Sequence, residues 1–194
     1  MRLFVGLDIP DEIRARIGEY MDAHRQYAAQ VRWVALESLH VTLKFIGEFQ
    51  EERLPEMKQA LSGVGGQPFE LRFAEVGFFP SPRSPRVFWI GVHAGYELAA
   101  LAKAVDDATA RLGVAREARE YSPHLTLARA GSGRPQGSPR DRNKPKMHEL
   151  AAQLEGRAAP EFGTMRATEF ILYQSKLSPK GAQYSKLARF FLIS

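Results

Sequence analysis

Hydrophobic and polar positions along the chain predict short strands interspersed with four helices. In the first helical stretch, apolar side chains recur every three or four residues, so that Ile13, Ile17, Tyr20 and Met21 form one stripe. Runs rich in β-branched and aromatic residues, bounded by turn residues, predict strands. The expected helices are 11–29, capped by Asp11, 51–61, 96–112 and 147–154; the expected strands are 2–9, 31–34, 40–45, 69–79, 87–92, 124–129, 161–163, 166–174 and 190–193.

Two of these strands carry the same eight-residue pattern. The first reads HVTLKFIG from His40, and the second reads HLTLARAG from His124. Both have an aliphatic residue after the His, then Thr and Leu, and both close with Gly. Side chains alternate faces along a strand. Each His therefore shares a face with the Thr two places on, Thr42 or Thr126, and the intervening aliphatic residues point into a core.

The repeat indicates a site for acid–base chemistry on a phosphate. Imidazole is the side chain whose unperturbed pKa lies nearest neutral pH, so two imidazoles in equivalent settings suggest a matched acid and base. A phosphate offers several oxygens to four converging polar groups and fits them better than a carbonyl does. The alternative is two ordinary strands whose His and Thr side chains bond to each other or to the backbone.

The same repeat sharpens the expected fold. Dominant strands with interspersed helices favour an α+β fold with antiparallel sheets over a doubly wound parallel sheet. Duplication predicts two pseudo-symmetric lobes, each an antiparallel sheet with helices on its outer side, around a central cleft. We expect residues 1–194 to form a single bilobal domain, and a monomer, since the pseudo-twofold is satisfied within one chain.

Composition narrows the chemistry further. The chain of 194 residues has no Cys, which excludes disulfides, Cys-ligated zinc, iron–sulfur clusters and thiol catalysis and agrees with a reducing, cytoplasmic setting. No apolar run approaches the ~20 residues of a membrane span, so no membrane partner is expected. The net charge of +5 favours polyanionic partners, although a modest charge is also common in soluble proteins.

A basic stretch follows the second motif. Residues 130–146, AGSGRPQGSPRDRNKPK, are rich in Gly, Pro, Ser and basic side chains and predict a long, flexible surface loop. Its basic residues are candidates for contacting phosphates that flank a substrate; the alternative is an ordinary solvated loop. These residues are Arg134, Arg140, Arg142, Lys144 and Lys146.

Nearly the whole chain, apart from the basic stretch, resembles the two-histidine phosphoesterases, and within them the bacterial RNA 2′,3′-cyclic phosphodiesterases, historically called 2′-5′ RNA ligases. Both His-x-Thr motifs carry the resemblance. The segments RLFVGLDIP, PRVFWIGV and LYQSKLSPKGAQYSKLARFFL extend it. It implies metal-independent hydrolysis of an RNA 2′,3′-cyclic phosphate to a 2′-phosphate, with no cofactor. In that scheme His124 accepts a proton from water and His40 donates one to the departing 3′ oxygen, while Thr42 and Thr126 hold the phosphate.

The resemblance adds two substrate-binding candidates, Phe45 for stacking on a nucleobase and Arg129 for pairing with a phosphate oxygen. Each lies five residues after its His, and an odd offset in a regular strand places it on the opposite face. Either the strands bulge there, or these residues serve the core and surface. Two other functions stay open: the reverse reaction, 2′-5′ RNA ligation, and a non-catalytic nucleotide- or RNA-binding module.

Overall fold

The computed structural model describes residues 1–28, 31–130, 147–178 and 181–193, and in these ranges nine strands form two antiparallel sheets. The strands are β1 Arg2–Asp8, β2 Val31–Trp33, β3 His40–Glu48, β4 Phe69–Ser81, β5 Ser84–Ala94, β6 His124–Ala130, β7 Glu161–Ala167, β8 Glu169–Ser178 and β9 Gly181–Phe191. The same ranges contain four α-helices, which are α1 Asp11–His24, α2 Leu54–Ser62, α3 Tyr96–Ala110 and α4 His148–Leu154. The five basic residues of the predicted 130–146 loop lie outside the described residues.

The two sheets repeat one strand order. The first sheet has the order β3-β1-β8-β9, and the second has the order β2-β6-β5-β4-β7. In each sheet the motif strand, β3 or β6, is followed by three further strands, which are β1, β8 and β9 in the first sheet and β5, β4 and β7 in the second. The second sheet has one additional strand, β2, on the other side of β6. The α+β class and the two pseudo-symmetric lobes are thereby confirmed.

Two of the helices each follow a strand of one sheet and pack against a strand of the other. Helix α1 follows β1 of the first sheet but packs against β7 of the second. Helix α3 follows β5 of the second sheet but packs against β3 of the first. One hydrophobic cluster accordingly contains Leu7 and Val41 of the first sheet together with Phe73 and Leu125 of the second. The core that fixes each motif strand is therefore shared by both halves of the chain.

The helical stripe predicted from Ile13, Ile17 and Met21 is buried as expected, and Tyr20 packs at its edge. Three predictions were wrong in detail. The first helix ends at His24 and continues as a 3-10 turn over Arg25–Ala28, and Asp11 is its first residue instead of its cap. The expected 166–174 strand is split, because β7 ends at Ala167 and β8 begins at Glu169.

The last strand is much longer than residues 190–193. Strand β9 begins at Gly181 and pairs with β8 along its length at one edge of the first sheet. Its sequence, GAQYSKLARFF, lacks clean alternation because an edge strand has little to bury. Among the described residues, no helix is long and apolar enough to cross a membrane.

Candidate active site

The His and Thr of both motifs line one cavity between the sheets. This cavity, which we call the motif pocket, has a volume of about 490 Å³ and is bounded by His40, Thr42, His124 and Thr126, together with Phe45 and Arg129. Val41, Leu43, Leu125 and Leu127 point the other way and are buried. The two copies thus bring all six predicted site residues to the same cavity.

A β-bulge in each motif strand explains how Phe45 and Arg129 reach the pocket. In β3, Thr42 pairs with Gly6 but Lys44 pairs with Val5, which leaves Leu43 as the extra residue. In β6, Thr126 pairs with Trp89 but Ala128 pairs with Phe88, which leaves Leu127 as the extra residue. A bulge shifts the alternation by one residue. The residue five places after each His therefore returns to the face of that His.

Both imidazoles are held by the same backbone contact. Nδ1 of His40 donates to the Ser38 carbonyl oxygen at 2.8 Å, and Nδ1 of His124 donates to the Ser122 carbonyl oxygen at 2.8 Å. A carbonyl oxygen only accepts, so this contact places the Nδ1 proton and leaves Nε2 to act in the cleft. Each Nε2 can accept a proton when neutral and donate one when charged.

Burial lowers the pKa of both histidines. For His40, burial is the largest cause, and the Arg129 guanidinium and His124 add to it, so that the pKa falls to about 4. The Ser38 contact and the Asp8 carboxylate oppose the fall. Burial, followed by Arg129, also lowers the pKa of His124. Both imidazoles are therefore neutral at pH 7 in the absence of a bound anion.

The pocket is prepared for an anion. Three guanidinium groups line it, those of Arg2, Arg32 and Arg129, and no carboxylate is among its described lining residues. Arg129 Nη2 donates to Thr126 Oγ1 at 3.4 Å, which joins one charge to one motif hydroxyl. Several donors around a site without acids favour phosphate over a neutral ligand.

Three aromatic rings pack around the imidazole of His40. The Phe4 ring lies 4.6 Å from the His40 imidazole and stacks on Tyr173 at 4.8 Å, while Tyr184 meets His40 edge-on at 5.1 Å. Tyr184 lines both the motif pocket and a neighbouring cavity, and Tyr173 lines the neighbouring cavity. Phe45 lies 6.3 Å from Phe4 with 59% of its surface exposed, so its ring is available for stacking.

Close packing of backbone next to His40 depends on Gly6. A Cβ atom on Gly6 would lie 2.8 Å from the Val41 carbonyl oxygen and 3.4 Å from His40 Cδ2. Sequence reasoning did not identify Gly6, Phe4 or Arg2 as site residues. Alternation along β1 places these three residues on one face of the strand. That face can be assigned to the site only when β1 is known to pair with β3. Arg32 was missed for the same reason, since it pairs with Arg129 across β2 and β6.

The other histidines lie outside the pocket. His24 is buried on α1 with its Nδ1 on the Tyr20 carbonyl oxygen, and His148 contacts the Arg83 carbonyl oxygen. His93 lies 3.5 Å from Glu75. Across the described ranges, no three His, Asp or Glu side chains cluster in a way that would hold a metal ion.

Comparisons with known proteins agree with this geometry. The model of the LigT like Phosphoesterase family matches residues 7–89 and 90–184, so that each match contains one motif. An RNA 2′,3′-cyclic phosphodiesterase of Archaeoglobus fulgidus is 38% identical, covering 98% of this chain and 99% of the relative. One from Methanothermobacter thermautotrophicus is 34% identical, covering 99% of both.

Solved structures show the same fold. Escherichia coli LigT complexed with 3′-AMP superposes with a TM-score of 0.78 at 28% identity, covering 100% of this chain and 98% of that one. TT0787 of Thermus thermophilus superposes with a TM-score of 0.77 at 27% identity, covering 99% and 98%. Since the two relatives above are archaeal, the narrower resemblance to bacterial enzymes is not supported. The chain belongs to the LigT-like phosphoesterase family.

Proposed function

We propose that this protein is an RNA 2′,3′-cyclic phosphodiesterase that opens the cyclic phosphate to a 2′-phosphate. The observation that carries the proposal is the convergence of two His-x-Thr strands on one basic pocket, with both Nε2 atoms left to act in the cleft. Relatives at 38% and 34% identity over nearly their full length bear that enzyme name. The partner is accordingly an RNA or nucleotide that ends in a 2′,3′-cyclic phosphate.

The proposed reaction is an in-line displacement at phosphorus. His124 Nε2 takes a proton from water as the water oxygen forms a bond to phosphorus. His40 Nε2 gives a proton to the 3′ oxygen as the P–O3′ bond breaks, which leaves a 2′-phosphate. Thr42, Thr126 and Arg129 bind the non-bridging oxygens and hold the phosphate in line. General acid–base catalysis by one such group is typically worth about 10²–10⁴-fold.

The lowered pKa of His40 makes proton donation depend on the substrate. In the free protein His40 is neutral at pH 7, and a neutral imidazole cannot act as the acid. A phosphate anion bound between the imidazoles supplies the negative charge that favours their charged form. We infer that phosphate binding and protonation of His40 are coupled. The negative charge of Asp8, a residue that lies opposite His40 in the register of β1 and β3, favours the same protonated state.

We also propose that catalysis needs no metal or cofactor, and that the enzyme acts as a monomer in the cytoplasm. The acid, the base and the cationic groups that the reaction requires are all supplied by side chains of the pocket. Both motif strands come from one chain, so a partner subunit is not needed to complete the site. The absence of Cys agrees with a reducing compartment.

A non-catalytic binding module is the less favoured alternative. Binding an anion requires cations and hydroxyl groups, and Arg2, Arg129 and the motif threonines already supply them. It does not require two imidazoles that each keep Nε2 for the cleft through the same Nδ1 contact. A role in proton transfer explains why both histidines have the same tautomer, with the proton on Nδ1, whereas binding alone does not require it.

Substitution of the two histidines tests the proposal. We expect His40→Ala and His124→Ala each to lower hydrolysis of a nucleoside 2′,3′-cyclic phosphate by about 10²–10⁴-fold, because each removes one proton-transfer group. His148→Ala is the matched control, since that side chain is exposed and outside the pocket. Circular dichroism and thermal unfolding check the fold.

His40→Asn is a second variant that tests the acid without removing the backbone contact, because its amide can still donate to the Ser38 carbonyl oxygen. Full activity in either motif variant would refute the mechanism.

A further inference from the structure

His40 lies at the boundary between two cavities. The motif pocket shares Ser38, His40 and Tyr184 with the neighbouring cavity, which has a volume of about 460 Å³. The carbonyl oxygen that holds the Nδ1 proton of His40 thus belongs to a residue, Ser38, that borders both cavities. The direction in which Nε2 points therefore depends on how the segment before His40 is held.

A short turn carries the Ser38 carbonyl oxygen. Residues Leu36–Ser38 form a 3-10 turn, and the Leu39 amide donates to the Leu36 carbonyl oxygen at 3.2 Å. His40 begins β3 directly after Leu39. The hydrogen-bond geometry of a 3-10 turn is poorer than that of an α-helix. Groups outside this turn are therefore needed to fix the orientation of its carbonyl oxygens.

The Arg14 side chain fixes the turn from α1. Its Nη1 donates to the Leu36 carbonyl oxygen, and its Nη2 donates to the Asp8 carboxylate at 2.9 Å and to the Ile9 carbonyl oxygen at 3.0 Å. The side chain is only 16% exposed. Because a guanidinium presents its donors in a rigid planar fork, Arg14 joins the end of β1 to the turn that precedes His40.

The Asp8 carboxylate holds the guanidinium in place. Asp8 lies opposite His40 in the register of β1 and β3. Its Oδ1 accepts from Arg14 and from the Ile9 amide, and its Oδ2 accepts from the Lys186 ammonium group on β9 at 2.5 Å. Burial alone would raise the pKa of Asp8, but Lys186 and Arg14 lower it overall. The carboxylate therefore stays charged and keeps Arg14 bound.

The segment before His124 is held in a different way. The Tyr121 hydroxyl donates to the Thr42 carbonyl oxygen at 2.9 Å, and Ser122, which accepts from His124 Nδ1, follows directly. Arg14 lines the neighbouring cavity and is not among the described residues that line the motif pocket. Loss of Arg14 is therefore expected to affect the proposed acid and to leave the proposed base in place.

We propose that Arg14 is a positioning residue for His40. Its contact with the Leu36 carbonyl oxygen fixes the turn, and the turn fixes the Ser38 carbonyl oxygen. That oxygen orients the imidazole, so that Nε2 of His40 faces the leaving 3′ oxygen. The inference rests on the proposed function and adds to it the residue that keeps the acid aligned.

A substrate that needs no acid tests this role. The compound is adenosine 2′,3′-cyclic phosphate with sulfur in place of the bridging 3′ oxygen. Water attacks phosphorus, His124 takes a proton from the water, and the P–S bond breaks to give a 3′-thiolate. A thiol such as that of Cys has an unperturbed pKa of about 8.5, so the thiolate leaves without protonation. Turnover of this sulfur substrate therefore requires the base and the phosphate contacts but not His40.

We expect Arg14→Met to lower kcat for the oxygen substrate by about 10-fold to 10²-fold, because small displacements of a catalytic group have effects of this size. The kcat for the sulfur substrate should be unchanged. Arg14→Lys should show the same difference in a stably folded protein, since an ammonium group keeps the charge beside Asp8 but lacks the fork that also reaches Leu36. Arg16→Met is the matched control, because it removes a half-exposed arginine of the same helix that pairs with Glu12. It should leave both rates unchanged.

The tautomer of the His40 ring gives a second readout that does not depend on turnover. Nitrogen NMR shifts of the imidazole distinguish a proton on Nδ1 from a proton on Nε2, and comparison with His40→Asn assigns the His40 signals. In Arg14→Met at pH 7 we expect these signals to shift toward the tautomer with the proton on Nε2. In Arg16→Met they should not shift.

The two readouts separate failure of the positioning role from failure of the proposed function. Equal losses on the oxygen and sulfur substrates, with the His40 signals unchanged, would overturn the positioning role and leave the proposed function standing. Shifted His40 signals in Arg14→Met, with no turnover of the oxygen substrate by the wild-type protein, would support the positioning role and refute the proposed function.

Discussion

His40 and His124 share one hydrogen-bonding arrangement but differ in their surroundings. His40 lies against Phe4 and Tyr184, and its burial lowers its pKa to about 4. His124 meets the Phe79 ring, and its pKa is also lowered by burial. Arg129 lowers both values further, although it is also the proposed phosphate ligand. Arg129 thus adds to the effect of burial in favouring neutral imidazoles, and the same positive charge attracts the anion that favours their charged form.

This arrangement predicts a pH dependence. The pH profile of kcat/KM reports groups of the free enzyme, and the active state needs one proton on the histidine pair. Both pKa values lie below 6.5, so that proton is lost as pH rises through the higher of them. We expect kcat/KM to have its optimum below pH 6.5 and to fall above it.

The complex should behave differently. Bound phosphate raises both pKa values, so the alkaline limb of kcat should lie at higher pH than that of kcat/KM. Steady-state rates measured from pH 4 to pH 9 check both expectations. A value of kcat/KM that rises through pH 7 to 8 would contradict the burial argument.

The two motif strands each contain a β-bulge at the equivalent position, directly after the motif Thr. Alternation alone correctly predicted the shared face of His40 and Thr42, and of His124 and Thr126, because those residues precede the bulges. It failed for Phe45 and Arg129, which follow them. A bulge is produced by pairing with a neighbouring strand, and the sequence of β3 or β6 alone contains no register. The same limit concealed Phe4 and Arg32, whose roles depend on which strands they pair with.

Strand β1 provides a direct test of how β3 is positioned. We expect Gly6→Ala to reduce the free energy of unfolding by about 1–3 kcal/mol, because the added methyl group would overlap the Val41 carbonyl oxygen. The required shift also displaces His40, so kcat/KM should fall by about tenfold or more. Gly65→Ala is the control, since a Cβ there meets no atom within 4 Å. Denaturant unfolding and turnover measure both effects, and equal behaviour of the two variants would show that β1 does not position His40.

Both halves of the chain contribute to each lobe. Lys44, in the motif strand β3, is 5% exposed, and its ammonium group lies 2.5 Å from the Asp106 carboxylate on α3 and 2.7 Å from the Ala115 carbonyl oxygen. Burial alone would raise the pKa of Asp106, but Lys44 and the Glu117 amide lower it overall. Sequence patterning did not indicate this pair, because a Lys within a strand usually points to solvent. We propose on these grounds that residues 1–194 act as one domain.

Removal of Lys44 tests the link between the halves. We expect Lys44→Met to lower the free energy of unfolding by about 3 kcal/mol, because it leaves Asp106 and the Ala115 carbonyl oxygen without their buried donor. Lys103→Met removes an exposed pair with Asp107 and should cost at most about 1 kcal/mol.

A double-mutant cycle with Asp106→Asn separates the pair itself from other effects of the methionine. Strong coupling between the two substitutions is expected, together with a single unfolding transition for both sheets. Equal costs for Lys44→Met and Lys103→Met, or separate transitions for the two sheets, would contradict this view of the domain.

The central claim is that His40 and His124 act on opposite sides of one phosphorus atom, with the 3′ oxygen on the His40 side. It is tested most directly by identifying the product end after an RNA with a 2′,3′-cyclic phosphate is incubated with the wild-type protein in excess chelator. We predict quantitative opening to a 2′-phosphate. A 3′-phosphate would show that the leaving oxygen is wrong, and activity that appears only when a divalent ion is restored would contradict a mechanism based on two histidines alone.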